Sequence, residues 1–398
     1  MNRKEFLRQS ALATVGTWLI PDFVKAYEQH QLGQTPSSRK TLVIIQFSGG
    51  NDGLNTIIPY RNDIYYRERP KLAIPEGKVL KINDELAFHP ALEKLRRWYD
   101  DGRFSILNNV GYPNPDRSHF RSMDIWHTAS NSNEYLKTGW IGRYLDSQCS
   151  GQCQPYQALE IDDQLSLSMK GAQVKGLAVS DPKRLYNQTQ NSFYQQLARV
   201  NHEEYENVDY LYKTLAETIS SADYIHAKTK VASSSTTYPS HELGRRMKTI
   251  ANFIRTGVDS RVYYVSHGSF DTHVNQQPQQ HNLLTQYAEA LDSFLQDLKS
   301  QGQLDNVVVM TFSEFGRRIK QNASNGTDHG AANVLFLAGS LLKPDASLTA
   351  SPNLTDTDQG DLKYTIDFRD VYATLLDRWL DVPSEAILGR KFAGLKMG

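Results

Sequence analysis

The sequence contains little cysteine, no long apolar run and no excess of either charge. Only two of its 398 residues are cysteine, too few for a structural zinc site built from thiolates. No run of about 18 apolar residues occurs, so we expect no membrane-spanning helix. Lysine plus arginine and aspartate plus glutamate both number 44, which leaves no basic field for nucleic acid. The length allows a large core, arranged as one big α/β domain or two smaller ones.

The two cysteines are Cys149 and Cys153, with Gly151 between them. In an oxidising compartment this spacing allows a small disulfide loop. Unpaired, partly buried thiols fit the sequence equally well.

The first 26 residues differ in kind from the rest. The basic segment Asn2–Arg8 is followed by the short apolar segment Ser10–Ile20, and Val24–Ala26 offers a cleavage site. The basic segment resembles a twin-arginine export signal in which Lys4 replaces the second arginine. We therefore predict that residues 1–26 are an export signal read by the twin-arginine translocase, which places the mature chain in the periplasm or outside the cell. An amphipathic N-terminal helix is the alternative.

The rest of the chain alternates strand patterns with helix patterns. Thr41–Phe47 and Phe104–Val110 are apolar enough for strands, and a helical pattern lies between them. The second half repeats helix, strand and polar loop, with strands predicted at Arg261–Val265 and Val307–Met310. This rhythm predicts that residues 40–398 form a three-layer α/β/α sandwich with a mostly parallel central sheet.

Two segments are predicted to lie outside the sheet. Residues 186–235 are polar and helical in tendency, and we predict that they form a helical cap inserted into the α/β domain. Lys320–Gly326 is predicted to be a polar loop that leads to a further strand at Val334–Ala338. The tyrosine-rich excursions also allow a carbohydrate-binding surface.

Acids and histidines stand at the ends of predicted strands: Asp52, Asp271 with His273, Glu314, and Asp328 with His329. Strand ends of open α/β sheets are where such domains usually carry their chemistry. Carboxylate and imidazole groups are ligands for divalent metals, so the set predicts a metal site. The alternative is that these groups cap helices and bond to the backbone, and for Asp52 the Asn-Asp-Gly sequence is also common turn chemistry.

Ser118 and His119 stand where the second strand leads into a predicted helix, Arg121–Ala129. Ser118 is either the N-cap of that helix or a nucleophile at its N-terminus, where developing negative charge is favoured. His119 could orient a substrate or simply pack. His127 is interpreted as structural.

Several motifs together resemble the domain-of-unknown-function family 1501, in the order of that family and over nearly the whole mature chain. These motifs are Phe47-Ser-Gly-Gly-Asn-Asp-Gly, Arg117-Ser-His-Phe120, Phe270-Asp-Thr-His273, Thr311-Phe-Ser-Glu-Phe-Gly-Arg317, Asp328-His-Gly330 and Phe368-Arg-Asp-Val-Tyr372. The family is related to the alkaline phosphatase and sulfatase superfamily. The resemblance implies an alkaline phosphatase-like sandwich with metals at the carboxyl ends of its strands.

The resemblance also implies roles for single residues. Asp52 takes the place of the first-strand metal aspartate, and Ser118 lies near the place of the nucleophile. Asp271, His273, Glu314 and His329 take metal-ligand places. Where the superfamily has an Asp-His pair, this chain has Glu314-Phe315, so one imidazole ligand is missing and His119 or His267 could replace it.

Together these patterns predict an exported, metal-dependent hydrolase of phosphate or sulfate esters. Its cofactor is a divalent metal (zinc, manganese, calcium or magnesium), and its substrate is a small-molecule or glycan ester. The alternative is a non-catalytic exported binding or assembly protein on the same fold, with a degenerate metal site.

Overall fold

The structure is a computed structural model that describes residues 39–149, 154–198, 206–230, 234–340, 344 and 349–397. The predicted export signal, residues 1–26, lies outside the described residues, as does Cys153. Cys149 is disulfide-bonded. None of the helices within the described part of the chain is long and apolar enough to cross a bilayer.

Apolar runs form the central strands. The strands of the described residues are β1 (Thr41–Phe47), β2 (Ile57–Ile58), β3 (Leu80–Lys81), β4 (Ala87–Phe88), β5 (Phe104–Gly111), β6 (Ala158–Glu160), β7 (Leu177–Ala178), β8 (Val262–His267), β9 (Val307–Ser313), β10 (Arg317–Gln321), β11 (Thr327–His329), β12 (Asn333–Gly339), β13 (Thr357–Asp358), β14 (Asp361–Leu362) and β15 (Ile366–Asp367).

Eight of these strands form one sheet in the order β15-β5-β12-β9-β1-β8-β6-β7. Strand β12 is antiparallel to both of its neighbours, whereas every other adjacent pair is parallel. The sheet is therefore mostly parallel, as the sequence predicts. Because β12 is reversed, its first residues lie at the edge where the other strands end. A loop that enters β12 can thus meet the loops that leave β1, β8 and β9.

Strand β1 shows how both faces of the sheet become covered. Val43 and Ile45 join one apolar core, while Leu42 and Ile44 join a second core on the other face, and all four are completely buried. Alternate residues of a strand point to opposite faces, so a continuous apolar run suits a strand that is buried on both sides.

Helices cover the two faces and complete the three-layer α/β/α sandwich. The α-helices of the described residues are α1 (Gly53–Thr56), α2 (Asp63–Glu68), α3 (Glu93–Asp100), α4 (His119–Thr128), α5 (Trp140–Gln148), α6 (Pro182–Thr189), α7 (Ser192–Leu197), α8 (Glu206–Thr229), α9 (Glu242–Arg255), α10 (Gln276–Ser300), α11 (Phe368–Thr374), which continues as a π-helical turn, and α12 (Ser384–Leu388).

The polar loop predicted at Lys320–Gly326 overlaps the turn of a hairpin, whose two strands, β10 and β11, the sequence does not predict. Strands β10 and β11 pair antiparallel, with Arg317 opposite His329. Asn325 has a φ of 55° and precedes a glycine. Asn-Gly is a strong hairpin signal because both residues tolerate positive φ, and the many polar residues around it conceal that signal.

The helical segment predicted as a cap, residues 186–235, includes α8. Tyr224 of α8 stacks on Tyr156, which precedes β6, with ring centroids 4.1 Å apart. Its hydroxyl accepts a hydrogen bond from the backbone N–H of Asp259, which precedes β8, at 2.9 Å. These contacts lie where β6 and β8 begin, at the edge opposite the strand-end loops. That residues 186–235 act as a cap stays a prediction.

Candidate metal centre

Four loops at the carboxyl edge of the sheet deliver the polar side chains. His119 begins α4, after the loop that leaves β5. Asp271 and His273 lie in the loop after β8, and Glu314 follows β9 directly. His329 ends β11, just before the reversed strand β12. The fold thus brings residues from distant parts of the sequence to one place.

One carboxylate oxygen, Oδ1 of Asp271, lies at the centre of this cluster. It lies 3.0 Å from Nε2 of His273, 3.1 Å from Nε2 of His329 and 3.5 Å from Nε2 of His119. The Nε2 atoms of His273 and His329 are 2.9 Å apart. We call His119, Asp271, His273 and His329 the histidine cluster. Single ligand atoms of His119, Asp271 and His329 all lie within 4.8 Å of one another.

The other ring nitrogen of each histidine faces a hydrogen-bond acceptor. Nδ1 of His329 lies 2.8 Å from the backbone carbonyl of Arg117, and Nδ1 of His119 lies 2.9 Å from the Glu314 carboxylate. Nδ1 of His273 lies 3.4 Å from the Asp328 carboxylate. A carbonyl can only accept a hydrogen bond, so Nδ1 of His329 carries the proton and its Nε2 has a lone pair when the ring is neutral.

Lone pairs that face each other repel unless a cation or a proton lies between them. Metal-binding histidines typically donate their second ring N–H to a carboxylate or a carbonyl, and here each Nδ1 faces one of these groups. Zinc bonds of about 2.0–2.1 Å place neighbouring tetrahedral ligand atoms about 3.3 Å apart. The distances from Oδ1 of Asp271 to the three Nε2 atoms, 3.0, 3.1 and 3.5 Å, lie on both sides of that value. Nε2 of His119 is buried and has no hydrogen-bond partner among the described residues. The donor set therefore fits a metal ion.

Burial and neighbouring groups shift the pKa values of the residues in the histidine cluster. Burial raises the pKa of Asp271, but the hydrogen bond from Arg317 and its positive charge outweigh burial and lower that pKa to about 2. The hydrogen bond with Glu314 raises the pKa of His119. Desolvation lowers the pKa of His329. Asp271 is therefore ionised and His329 tends to be neutral, the states in which both groups bind metals.

Glu314 supports the cluster instead of joining it, which differs from its predicted place as a ligand. Its side chain is fully buried, and Oε1 accepts hydrogen bonds from the backbone N–H of Gly49, at 2.8 Å, and from His119. Its carboxylate thus orients His119. Asp328 takes a similar position behind His273, with its side chain 59% exposed.

Asp52 is not brought into the cluster, although the sequence predicts it as a metal ligand. Its Oδ2 forms a fully buried ion pair with Nη1 of Arg69 at 2.6 Å and also accepts a hydrogen bond from Gln276. Its Oδ1 accepts a hydrogen bond from the backbone N–H of Asn55, which caps α1. Both oxygens face donors, so Asp52 stabilises the loop after β1.

Ser118 is the N-cap residue of α4, but its side chain makes no capping hydrogen bond. It is exposed, and its backbone N–H donates to Asp116 at 2.7 Å. The residue lies beside His119, and its predicted nucleophilic role stays a prediction. His267, the other possible replacement ligand, is buried and contacts the backbone carbonyl of Leu283 at 3.1 Å, so it lies outside the cluster.

Phe315 forms a wall for the histidine rings. Its ring centroid lies 4.9 Å from that of His119 and 4.6 Å from that of His329. Gly50, with a φ of +77°, makes this packing possible, because a Cβ atom there would lie 2.3 Å from the Phe315 ring. Phe315, which stands where the superfamily has a histidine ligand, thus packs against two histidines of the cluster.

Sequence reasoning missed two buried arginines. Arg317 is fully buried, and it donates to Oδ1 of Asp271 at 2.7 Å and to backbone carbonyls of Gly50 and Thr327. Arg69 donates to the carbonyls of the β10 strand as well as to Asp52. Arg317 belongs to the Thr311–Arg317 motif of the family, and this motif could have pointed to it. Arg69 lies in a charged segment whose sequence gives no sign of burial.

The comparisons with known proteins identify a family. The model of the family described as "Protein of unknown function (DUF1501)" matches residues 39–389, and the chain belongs to this family. No curated protein matches the sequence significantly.

Several solved structures resemble the chain at a distance. The zinc complex of the C-terminal periplasmic domain of EcEptC from Escherichia coli has 11% identity and a TM-score of 0.37, with 76% of this chain and 73% of that chain covered. A protein in the alkaline phosphatase superfamily from Vibrio parahaemolyticus has 10% identity and a TM-score of 0.35, with coverage of 89% and 69%. The PsFucS1 sulfatase from Pseudoalteromonas sp. has 11% identity and a TM-score of 0.37, with coverage of 93% and 71%. Likenesses this distant transfer no activity.

Proposed function

We propose that this member of the DUF1501 family is an exported, metal-dependent hydrolase of phosphate or sulfate esters. One observation carries the proposal: three imidazole Nε2 atoms surround one carboxylate oxygen of Asp271, while each Nδ1 faces an acceptor. Imidazoles whose outer ring nitrogen faces a carboxylate or a carbonyl in this way are typical of metal sites.

His119, Asp271 and His329 would hold the ion, and His273 lies close enough to Asp271 and His329 to take part. Among the four predicted metals, imidazole-rich ligands favour zinc over calcium and magnesium, which prefer oxygen. A bound divalent metal supplies Lewis acidity toward an ester oxygen and lowers the pKa of bound water. Glu314 and Phe315 fix the orientation of His119.

Ser118 is the proposed nucleophile. Its exposed side chain stands at the N-terminus of the ten-residue helix α4, where negative charge is favoured. The next residue, His119, belongs to the histidine cluster, so this end of the helix lies beside the cluster. The proposal assigns no base to Ser118, because none of the hydrogen bonds in the described part of the chain joins its hydroxyl to one.

The second candidate is a non-catalytic exported binding or assembly protein. One observation favours it: Arg317 already donates a hydrogen bond to the same Asp271 oxygen that faces the histidines. The guanidinium charge offsets the carboxylate and so weakens its attraction for a cation. In this alternative a proton, shared between imidazoles and Asp271, replaces the metal.

Metal analysis separates the two candidates. The mature protein is purified without added metal and its zinc, manganese, calcium and magnesium contents are measured by mass spectrometry. We expect about one zinc per chain, with a loss of most of it in His329→Ala and in Asp271→Ala. His226→Ala, a half-buried histidine on α8, is the matched control and keeps the metal. A folded wild-type protein that contains no metal and shows no melting shift with any added metal rules out the hydrolase.

Activity and export need separate tests. Metal-loaded protein is assayed with aryl phosphates and aryl sulfates, and Ser118→Ala is expected to abolish turnover while it keeps the metal; unchanged turnover removes Ser118 from its role. For export, cell fractionation and N-terminal sequencing are compared in cells with and without a functional twin-arginine translocase. Uncleaved protein in the cytoplasm of cells with an intact translocase contradicts the export proposal.

A further inference from the structure

A cleft of about 380 Å³ adjoins the histidine cluster and plays no part in the proposed metal site. Arg117 joins the two places, because its carbonyl accepts from His329 while its side chain lines the cleft. Ala331, two residues beyond His329, lies on the wall. A substrate whose ester group reaches the cluster could therefore extend into this cleft.

A buried carboxylate with a spare acceptor lies in the cleft wall. The side chain of Asp361 is only 1% exposed, and its Oδ2 accepts from Nε of Arg117 at 2.8 Å. Its Oδ1 is buried and has no hydrogen-bond partner among the described residues, although Nε of Arg318 lies 3.6 Å away. Buried polar atoms are nearly always hydrogen-bonded in folded proteins, so this oxygen can accept from a water molecule or from a ligand hydroxyl in the cleft.

An aromatic ring borders the same cleft. Tyr364 is 38% exposed and packs against Gly111, where a Cβ atom would lie 2.9 Å from the Tyr364 Cβ atom. The missing side chain at Gly111 therefore lets the tyrosine sit at the cleft wall. A tyrosine offers a rigid apolar face together with a polar tip, which suits ligands that carry both CH and OH groups.

The charges of the cleft exclude an ionic ligand. Two acids and two bases line it: Asp358, Asp361, Arg117 and Lys363. The guanidinium of Arg117 is already paired with Asp361, and Lys363 is paired with Asp356. A sulfate or phosphate group would meet carboxylates here, and a cation would meet Arg117. A neutral ligand rich in hydroxyl groups matches the orphan acceptor without either conflict.

We propose that the cleft binds a neutral sugar ring, with a hydroxyl donating to Asp361 and the ring lying on Tyr364. This inference rests on the proposed function and narrows it, since the ester at the histidine cluster then belongs to a glycan. The ester group and the sugar ring occupy separate places, so sugar binding does not need the metal.

Ligand-observed NMR with neutral methyl glycosides tests the inference. Methyl glucoside, galactoside, mannoside and fucoside are titrated into wild-type protein, both metal-loaded and treated with chelator. We expect at least one glycoside to bind in both forms, and Tyr364→Ala to weaken that binding at least about tenfold, which corresponds to about 1.4 kcal/mol. Tyr194→Ala removes a tyrosine of similar exposure on α7 and is expected to bind as wild type does.

Two further variants, Asp361→Asn and His329→Ala, complete the test of sugar binding in the cleft. Asp361→Asn is expected to weaken the same glycoside, and its folding is checked by circular dichroism because Asp361 is buried. Equal binding by wild type and Tyr364→Ala, or no glycoside binding by folded wild type, overturns the inference. His329→Ala distinguishes the two proposals: sugar binding that persists when metal is lost supports the cleft even if no hydrolysis is found, whereas a protein that hydrolyses esters but binds no glycoside contradicts the cleft alone.

Discussion

Asp52 and Asp271 follow adjacent strands, β1 and β8, and yet have opposite surroundings. Asp52 is 1% exposed and meets only donors, from Arg69, Gln276 and Asn55. The side chain of Asp271 is 48% exposed and faces three imidazole nitrogens. The difference shows that carboxylates at neighbouring strand ends can have quite different surroundings, and of these two only Asp271 faces imidazole nitrogens.

The largest expected effect comes from breaking the buried ion pair between Asp52 and Arg69. Asp52→Asn leaves the buried charge of Arg69 without its carboxylate partner, which typically costs about 3–5 kcal/mol of unfolding free energy. Asp271→Asn, in chelator-treated protein, should cost less, because the side chain of Asp271 is half exposed and water screens its pairing with the buried Arg317. Urea unfolding of both variants measures the contrast. Similar losses in the two variants would contradict the distinction between them.

A third carboxyl extends the comparison, because Glu160 at the end of β6 has no cationic hydrogen-bond partner among the residues that the structure describes. Burial raises its pKa from 4.5 to about 7, although the backbone N–H of Ser166 donates to it at 2.7 Å. As the pH rises, the unfolded chain loses the proton of Glu160 near pH 4.5, whereas the folded chain keeps it. The stability that the protonated Glu160 contributes is therefore complete below pH 4.5 and is lost as the pH rises to about 7.

The loss of unfolding free energy expected from this pKa shift is roughly 3 kcal/mol. Unfolding free energies of chelator-treated wild type and Glu160→Gln are measured between pH 4.5 and 7, the two pKa values of the group. Relative to the variant, wild type should lose stability across this window. A difference that stays constant with pH shows that Glu160 does not titrate there.

The smallest expected effect concerns the acids behind the histidines. Glu314→Gln keeps the shape of the side chain but weakens the hydrogen bond to His119, and loss of such support typically lowers metal affinity about 10–100-fold. Asp328 is exposed and lies 3.4 Å from His273, so Asp328→Asn should have a smaller effect. Competition with a chromophoric zinc chelator measures both affinities. An affinity for Glu314→Gln equal to that of wild type removes Glu314 from its supporting role.

Much of the fold could be predicted from the sequence. Strand β1 matches its predicted bounds, and the strands at β5, β8, β9 and β12 come from apolar runs that need burial on both faces. The loop predicted at Lys320–Gly326 largely matches the turn of the hairpin, whereas its strands β10 and β11 could not be predicted because their sequence is polar. Its pairing depends on cover from neighbouring segments, including the donors of Arg69, and not on its own hydrophobicity.

Less of the candidate site could be predicted. Strand-end position correctly grouped Asp271, His273 and His329, but it could not tell which oxygens and nitrogens face donors. The partner of Asp52 stands 17 residues away in a segment with no pattern of burial. The role of Glu314 depends on the tautomer of His119, which is a property of the folded arrangement and not of the local sequence.

The spacing of the cluster along the chain has a consequence for how the protein assembles. His119 and Glu314 are 195 residues apart, and Asp271 and His329 are 58 apart. Closing loops of this length before the sheet exists is entropically unfavourable, so the cluster can form only after β5, β8 and β9 are in place. An ion bound there would therefore not act as a folding template. It would slow the unfolding of a sheet that has already formed.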